Sequence, residues 1–402
     1  MSHIFEAFLS TPEVLEAFSE RQFVDAMLRY EAALARAQAA CGLIPLSAAE
    51  AIIAACKVNL IDVKRVVDES GRAGSVAIPF IKNLKQTVAL SNESAVKFIH
   101  FGSTSQDVID TALALVSKPA LAMIVADART CASALLAHAH TYAATPMLAR
   151  TLMQPASVTS FGLKCLHWAA PLVRSVARIE QAMANALCVQ FGGAVGTSAA
   201  LAGQATRVTE LVAAELGLRA PEACWHTERD LWVLLGCELG ILTGCLGKIA
   251  QDIALLGQFE VAEVSEPAEP GRGGSTAMPH KRNPVAAMIG RSAAQRVPQR
   301  VAALLASMSH EHERALGGWQ TELAEWPGLL ISTHGAARAL AGALPGLEID
   351  AARMLRNLQA VAAQLPPAAA AEWFAPALAD QAALLVESEL PALQAQLIAQ
   401  SA

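Results

Sequence analysis

The sequence LWVLLGCELGILTGCLG, residues 231–247, is the most apolar run of the chain and belongs to a helical pattern over residues 230–264. Glu238 interrupts the run, and Asp230 and Lys248 flank it. A membrane span needs about 20 apolar residues in succession, so we predict a helix that is buried in protein. A helix longer than about 25 residues and apolar nearly all round belongs in the middle of a helix bundle.

Long apolar helical patterns recur on both sides of this run, at residues 109–142, 161–187, 285–308 and 328–343. Strand signals are nearly absent, because alternating β-branched runs do not extend beyond a few residues. We expect Pro119 to kink or divide the first long helix and Pro155 to begin a transition from loop to helix. Several long helices in antiparallel succession predict an all-α protein built on an elongated central helix bundle.

The helical patterns also predict three domains, which a chain of 402 residues can form. Shorter helices over residues 1–107 form an N-terminal helical domain, and residues 108–343 form the central long-helix bundle. After Pro345 the chain becomes rich in alanine. Residues 344–402 are therefore expected to form a small C-terminal helical domain.

The composition limits the partners of the protein. Hydrophobic residues make up 54% of the chain and charged residues 16%, so we expect an oligomer whose helix-to-helix interfaces cover apolar surface. The net charge of −6 without a basic block argues against nucleic acid, and we predict no membrane association. Eight scattered cysteines without a CxxC pair or a preceding signal peptide predict reduced thiols in a cytoplasmic protein.

The segment GRGGSTAMPHKRNP, residues 271–284, separates two of the long helices and must form a loop. Its glycines permit unusual backbone angles, and its prolines prevent helix continuation. The loop carries the hydroxyls of Ser275 and Thr276, the cation Lys281 and the carboxamide Asn283. This combination is typical of a mobile lid over a carboxylated substrate. The alternative is an ordinary surface turn.

The segment HFGSTSQD, residues 100–107, precedes the first long helix and contains three hydroxyls. Unpaired N–H groups at the helix start, together with Ser103, Thr104 and Ser105, predict a cradle for a carboxylate. The alternative is that Ser105 or Asp107 only caps the helix.

Two later segments add candidate polar groups. In WHTERD, residues 225–230, His226 and Arg229 can bind anions, whereas Thr227 or Asp230 can simply cap the following helix. In HEHE, residues 310–313, histidine and glutamate alternate. Alternating positions do not share a helix face, so we do not predict a metal site there.

Several segments, in chain order over about residues 10–340, resemble signatures of the fumarase/aspartase superfamily. The 271–284 loop resembles its GSSxMPxKxNP signature, with Thr276 in place of the second serine. Residues 100–107 resemble its TSxD region, residues 150–162 its GRTHxQPAxPTTFG segment and residues 190–199 its GGAxGT run. Arg314 and Trp319 fit an ERxxGxW pattern. The sequence of residues 100–107 is most similar to the HFGxTSQD form of the branch that contains adenylosuccinate lyases and carboxymuconate cycloisomerases.

This resemblance implies a set of site residues. Ser275 is the expected proton-transfer residue, and Lys281 is expected to stabilise its alkoxide. The expected substrate-binding residues are His100, Ser103, Thr104, Ser105, Thr151, Gln154, Arg229, Met278, Asn283 and Arg314. The resemblance also implies a homotetramer whose active sites each gather segments from three chains, a small tricarboxylate substrate, and no cofactor or metal.

The chain departs from the superfamily pattern at Leu152, which occupies the position of the signature histidine. In lyases that expel an amine or a hydroxide, an acid must protonate the leaving group. A carboxylate leaves as a stable anion and needs no acid, which favours intramolecular lactone chemistry. The alternatives are a lyase of the adenylosuccinate or argininosuccinate type and a catalytically silent structural member. Intact Ser275, Lys281 and Asn283 argue against the silent member.

Overall fold

The computed structural model describes residues 4–399 as a long helix bundle flanked by shorter helices. The predicted all-α class is confirmed. Six short or medium helices come first: α1 Ile4–Leu9, α2 Pro12–Ala17, α3 Glu20–Ala40, α4 Leu46–Ala55, α5 Val63–Ala73 and α6 Ala77–Ala89. Of these, α3 lies against the bundle through its buried side chains, which include Met27, Leu28 and Leu34.

The bundle consists of five long helices that alternate in direction. They are α7 Ser105–Thr141, α8 Phe161–Ala186, α10 Asp230–Leu256, α11 Val285–Ser307 and α12 Gly318–Ala343, with the shorter α9 Ala205–Leu216 between α8 and α10. Trp232 of α10 stacks on Trp326 of α12 with ring centroids 4.1 Å apart. Gly247 packs against Ala294 of α11 so closely that a Cβ at Gly247 would lie 2.3 Å from the alanine Cβ. Small residues thus let α10 and α11 approach closely.

Helix α7 remains one helix of 37 residues across Pro119. Pro119 therefore does not divide the helix, and the kink expected as the other possibility stays a prediction. A proline inside a helix costs about 3 kcal/mol, because it removes a hydrogen bond and crowds the preceding turn. Val116, Ala120 and Leu121 on either side are buried in the core, and their burial offsets that cost.

The structure contains a β-hairpin that the sequence did not predict. Strand β1 Pro146–Thr151 pairs antiparallel with β2 Gln154–Ser160. The turn residues Leu152 and Met153 have φ of 50° and 66°, as a two-residue type I′ turn requires. Pro155 therefore lies within a strand, and α8 begins only at Phe161. A second short pair of antiparallel strands joins β3 Val264–Ser265 to β4 Glu348–Ile349. The predicted helix over residues 230–264 is shorter in the structure, because α10 ends at Leu256 and Val264 belongs to β3.

The C-terminal segment forms α13 Ala351–Ala362, α14 Pro367–Trp373 and α15 Ala379–Ala399. Helix α15 lies along α7 and α8, and its Val386, Leu390 and Leu397 join the main core. One connected hydrophobic core therefore contains side chains from Val14 near the start of the chain to Leu397 near its end. The division into three domains stays a prediction, although α12 ends at Ala343, at the second proposed boundary.

The two most apolar helices are core helices. Helices α7 and α10 are long and apolar enough to span a membrane, but 78% and 56% of their most apolar windows are buried within the fold. The protein is a soluble one, and its hydrophobic runs stabilise the bundle.

Candidate active site

A buried carboxylate, Asp107, organises the loops at the start of α7. Its Oδ1 accepts hydrogen bonds from the backbone N–H of Gly192 at 3.0 Å and from Nε2 of His226 at 2.7 Å. Its Oδ2 accepts the backbone N–H groups of Thr104 and Gly193, each at 3.0 Å. Asp107 thus ties three loops from distant parts of the chain to one helix start.

The charge of His226 depends on this contact. Burial lowers the pKa of His226, but hydrogen bonds to Asp107 and Cys224 outweigh burial and raise it to about 9. The imidazole is therefore a cation at neutral pH. Its charge stabilises the carboxylate of Asp107, which is fully buried.

The residues of the predicted cradle lie beside this pair. Ser103, Thr104 and Ser105 line a cavity of about 570 Å³, together with His100 and, from α6, Lys82 and Lys85. The two lysines were not predicted, because nothing in the local sequence indicates that α6 faces the start of α7. The cavity combines hydroxyls, cations and a helix N-terminus, all of which bind carboxylates.

Two side chains of the cradle cavity already form hydrogen bonds within the protein. Ser103 shares a hydrogen bond of 2.8 Å with the hydroxyl of Tyr30. His100 Nδ1 lies 2.6 Å from Oε1 of the buried Glu31. Burial lowers the pKa of His100, but the charge of Glu31 outweighs it, so the net pKa is raised. His100 therefore has its Nδ1 occupied, and its side chain is fixed in position.

Arg229 does not have the role predicted for it. It is 2% exposed, its Nη1 donates to Asp110 at 2.9 Å, and its Nε donates to Glu322 at 3.1 Å. Two buried carboxylates thus occupy the guanidinium, which leaves no edge for a substrate. Arg229 joins α7, α10 and α12 as a structural cation, because an unpaired buried charge is costly.

Arg314 lies on the loop before α12 and reaches the glycine-rich turn. Its Nη2 donates to the carbonyl oxygen of Ala194 at 2.9 Å. That turn also holds Gly192 and Gly193, which donate to Asp107. The structure therefore brings Arg314 to the same end of the bundle as the cradle, and its role in substrate binding stays a prediction.

The 271–284 loop closes on itself at two points. Gly273 has φ of 70°, and its carbonyl oxygen accepts both the backbone N–H and the Nδ2–H of Asn283, at 2.8 and 3.1 Å. The hydroxyl of Ser275 accepts the N–H of Met278 at 3.1 Å. Lys281 is exposed and has no ion-pair partner within residues 4–399. The loop therefore presents a partly exposed hydroxyl and a free cation to the outside.

Glu266 fastens this loop to the bundle. Its carboxylate accepts the N–H groups of Ala286 and Ala287, at 3.0 and 2.8 Å, in the first turn of α11. A negative charge at a helix N-terminus is stabilised by the helix dipole and by the unpaired N–H groups. A cavity of about 460 Å³ lies between the loop and the end of α10.

The tip of the hairpin projects from the molecule. Leu152 is 97% and Met153 is 70% exposed, and Thr151 and Gln154 beside them are exposed as well. The end of the hairpin near the turn is fixed by Arg150, which forms a bidentate pair with the buried Glu263 at 2.8 and 3.0 Å. An apolar tip held rigidly in solvent is expected to meet another surface.

The candidate residues fall into two groups at opposite ends of the bundle. His100, Ser103, Thr104, Ser105, Arg229 and Arg314 lie where α7, α10 and α12 begin. Thr151, Gln154, Ser275, Met278, Lys281 and Asn283 lie where α7 and α10 have ended. Helix α10 has 27 residues, so about 40 Å separates the groups at 1.5 Å per residue. One chain alone does not bring both groups onto one small substrate.

Comparison with known proteins identifies the family. A family model described as lyase matches residues 7–298. The chain belongs to this lyase family, which is part of the fumarase/aspartase superfamily.

Two named relatives and one solved structure are similar to this chain over most of its length. The chain is 43% identical over 357 residues to 3-carboxy-cis,cis-muconate cycloisomerase of Pseudomonas putida, covering 89% of this chain and 85% of the relative. It is 41% identical over 357 residues to nitrosuccinate lyase of Streptomyces davaonensis, covering 87% and 75%. The crystal structure of 3-carboxy-cis,cis-muconate lactonizing enzyme from Pseudomonas putida superposes with a TM-score of 0.84 at 39% identity, covering 99% of this chain and 90% of that one.

Proposed function

We propose that the protein is a cycloisomerase that converts 3-carboxy-cis,cis-muconate to a carboxymuconolactone, a reaction of aromatic catabolism in the cytoplasm. The observation that carries the proposal is the similarity of most of the chain to 3-carboxy-cis,cis-muconate cycloisomerases. Leu152, at the fully exposed tip of the hairpin, supports it. The superfamily signature that residues 150–162 resemble has a histidine at this position, where it can protonate a leaving group. Intramolecular addition of a carboxylate has no leaving group that needs a proton. An apolar side chain there fits that reaction and does not fit loss of an amine or hydroxide.

The active site is formed between subunits. Because the two groups of candidate residues lie about 40 Å apart in one chain, the loop of one subunit must meet the cradle of another. Leu231, Leu234 and Ile241 on one side of α10 are 36%, 47% and 47% exposed. They repeat at the spacing of a helix face that packs against a partner helix. A homotetramer with a shared central bundle covers this face and unites the two ends.

Lactone formation needs one C–O bond and one C–H bond. A carboxylate oxygen of the substrate adds to a carbon of the conjugated diene, and the π electrons move into the neighbouring carboxylate as an aci-carboxylate dianion. Ser275 gives its proton to the carbon next to that carboxylate. The ammonium of Lys281 stabilises the dianion and the serine alkoxide. A proton from water then restores the hydroxyl.

The remaining residues bind and orient the carboxylates. The group from the cradle comprises His100, Ser103, Thr104, Ser105 and Arg314. The group from the loop and the hairpin comprises Thr151, Gln154, Met278 and Asn283. Held within a water-poor interface, such donors stabilise the extra negative charge more strongly than water does.

The decisive experiment follows the ultraviolet absorbance of the diene in 3-carboxy-cis,cis-muconate after the purified protein is added. We expect rapid loss of absorbance with the wild-type protein and none with Ser275→Ala. Thr276→Ala is the matched control, because it removes the neighbouring hydroxyl and leaves Ser275 in place. Loss of absorbance with both wild type and Ser275→Ala would move the proton transfer to another residue.

A parallel assay with nitrosuccinate, adenylosuccinate and argininosuccinate separates the reaction classes. Nitrite is also a stable anion, so Leu152 by itself does not distinguish a nitrosuccinate lyase from a cycloisomerase. Turnover of nitrosuccinate without turnover of the diene would overturn the proposal. Turnover of an amine-releasing substrate would overturn the argument from Leu152.

A further inference from the structure

A second cavity adjoins the 271–284 loop. It has a volume of about 600 Å³ and lies between the loop and the beginning of α11, where it extends as far as Gln295. Gly274 and Asn283 line both this α11 cavity and the cavity of about 460 Å³ beside the end of α10. The loop therefore borders two cavities, and Ser275 directly follows a residue that both cavities share.

The α11 cavity is polar and carries a single kind of charge. Arg291 is the one charged residue among those that line it in the described residues 4–399. Ser292 adds a hydroxyl, and Asn283 and Gln295 add carboxamides. The cavity beside α10, by contrast, is lined by acids and bases together. A lone cation among neutral hydrogen-bonding groups favours an anion as the occupant of the α11 cavity.

The position of Arg291 directs its side chain toward the loop. Arg291 is exposed and forms no hydrogen bond or ion pair within the described part of the chain. Helix α11 begins at Val285, and Arg291 lies about 9 Å farther along the helix axis at 1.5 Å per residue. Side chains of a helix lean toward its N-terminus, so the guanidinium extends back toward the loop. It is therefore available to a ligand that lies beside Ser275.

We propose that Arg291 binds the substrate carboxylate that does not react, and thereby selects a tricarboxylate over a dicarboxylate. This inference rests on the proposed function and deepens it. In the proposed reaction one carboxylate forms the new C–O bond, and a second, stabilised by Lys281, accepts the π electrons. The third takes part in neither step and can bind to a separate cation. The planar guanidinium of Arg291 fits a carboxylate through two parallel N–H···O hydrogen bonds.

Titration calorimetry with two unreactive ligands tests this assignment. Tricarballylate carries three carboxylates, and glutarate lacks only the central one. We expect the wild-type protein to bind tricarballylate about tenfold more tightly than glutarate, because the extra carboxylate forms charge-assisted hydrogen bonds. Arg291→Met should remove this preference. Arg291→Lys should keep part of it, because an ammonium retains the charge but not the paired hydrogen bonds.

The matched control is Arg207→Met, which removes an exposed arginine of α9 that is paired with Glu210. This variant should keep the wild-type preference for tricarballylate. Wild-type protein that binds tricarballylate no more tightly than glutarate would overturn the proposal. A preference that persists in Arg291→Met would overturn it as well.

The diene assay separates this proposal from the proposed reaction. Arg291→Met should raise KM for 3-carboxy-cis,cis-muconate about tenfold and change kcat less than about twofold, because a contact with a non-reacting carboxylate contributes equally to the ground state and the transition state. A loss confined to kcat would contradict the binding role. Wild-type protein that prefers tricarballylate but leaves the diene unchanged would overturn the cycloisomerase reaction and keep Arg291 as a carboxylate-binding residue.

Discussion

At the scale of single residues, the protonation of the His226 imidazole contributes to the stability of the fold. Its pKa is raised from 6.5 to about 9 by Asp107 and Cys224 against the effect of burial. A raised pKa means that the folded state holds the proton more tightly than the unfolded state. The resulting stabilisation is complete below about pH 6.5 and is lost as the pH rises through about 9.

We therefore predict that the difference in unfolding free energy between wild type and His226→Asn shrinks between pH 6.5 and pH 9.5. The expected change is on the order of 3 kcal/mol, because the pKa rises from 6.5 to about 9 and one pKa unit corresponds to about 1.4 kcal/mol. Urea unfolding at four pH values and one protein concentration measures it. A difference that stays constant over this range would show that the imidazole is not charged by Asp107.

Arg229 allows a second prediction at the same scale. Replacement by methionine leaves Asp110 and Glu322 buried without their cation, and breaking a buried pair in this way costs about 3–5 kcal/mol. The matched control is Arg207→Met, which removes an exposed arginine paired with Glu210 at 3.4 Å and should cost less than about 1 kcal/mol. Urea unfolding compares the two. Full stability of Arg229→Met with lost activity would restore the substrate-binding role.

At the scale of elements, the 271–284 loop depends on the attachment of Glu266 to α11. We predict that Glu266→Gln loosens the loop, since the neutral amide loses the charge that the helix N-terminus stabilises by about 1 kcal/mol. Arg272, Lys281 and Arg282 are trypsin sites within the loop. Their cleavage should accelerate roughly fivefold, because cleavage of a locally opened segment follows its opening equilibrium.

The control for this experiment is Glu260→Gln, an exposed residue before β3 that does not contact α11. In this variant, trypsin should cleave the 271–284 loop at the wild-type rate. Equal cleavage of Glu266→Gln and wild type would show that Glu266 does not hold the loop. Faster cleavage outside residues 271–284 would indicate a general loss of stability instead.

The long helices could be predicted from the sequence because their apolar residues follow local periodicity, and the bundle followed from their length. The hairpin could not be predicted in this way. Its turn uses Leu152 and Met153 at positive φ, where glycine or asparagine is the usual signal. Arg150 and Glu263, which are 113 residues apart in the chain, stabilise the end of the hairpin near the turn, and such a contact has no local signature.

The candidate site could be predicted from the sequence only where its residues belong to local motifs. The loop and the cradle have recognisable motifs, so their residues could be named from the sequence. The partners of Arg229 and Asp107 lie 85 to 119 residues away in the chain. Asp107 shows only a local capping signal. The burial of Arg229 by two carboxylates, and the role of Asp107 in joining three loops, required the fold.

At the scale of the whole molecule, the two ends of the bundle carry different halves of the proposed site. Helix α10 holds Arg229 just before its first turn and leads to the loop of Ser275 after its last. A helix of this length cannot bend enough to join its own ends. The proposed reaction therefore requires that the 271–284 loop of one chain meets the cradle of another, and we predict that assembly is a condition for catalysis.

This arrangement predicts that two inactive variants restore each other. Ser275→Ala removes the proton donor at one end, and Arg314→Met removes a cation at the other. When the two are unfolded together and refolded as a mixture, some sites receive an intact loop from one chain and an intact cradle from another. Random mixing of two kinds of chain in a symmetric oligomer gives roughly a quarter of wild-type activity. Each variant refolded alone is the control, and the diene assay is the measurement. If both halves came from one chain, every site would keep one defect and the mixture would stay as inactive as its components.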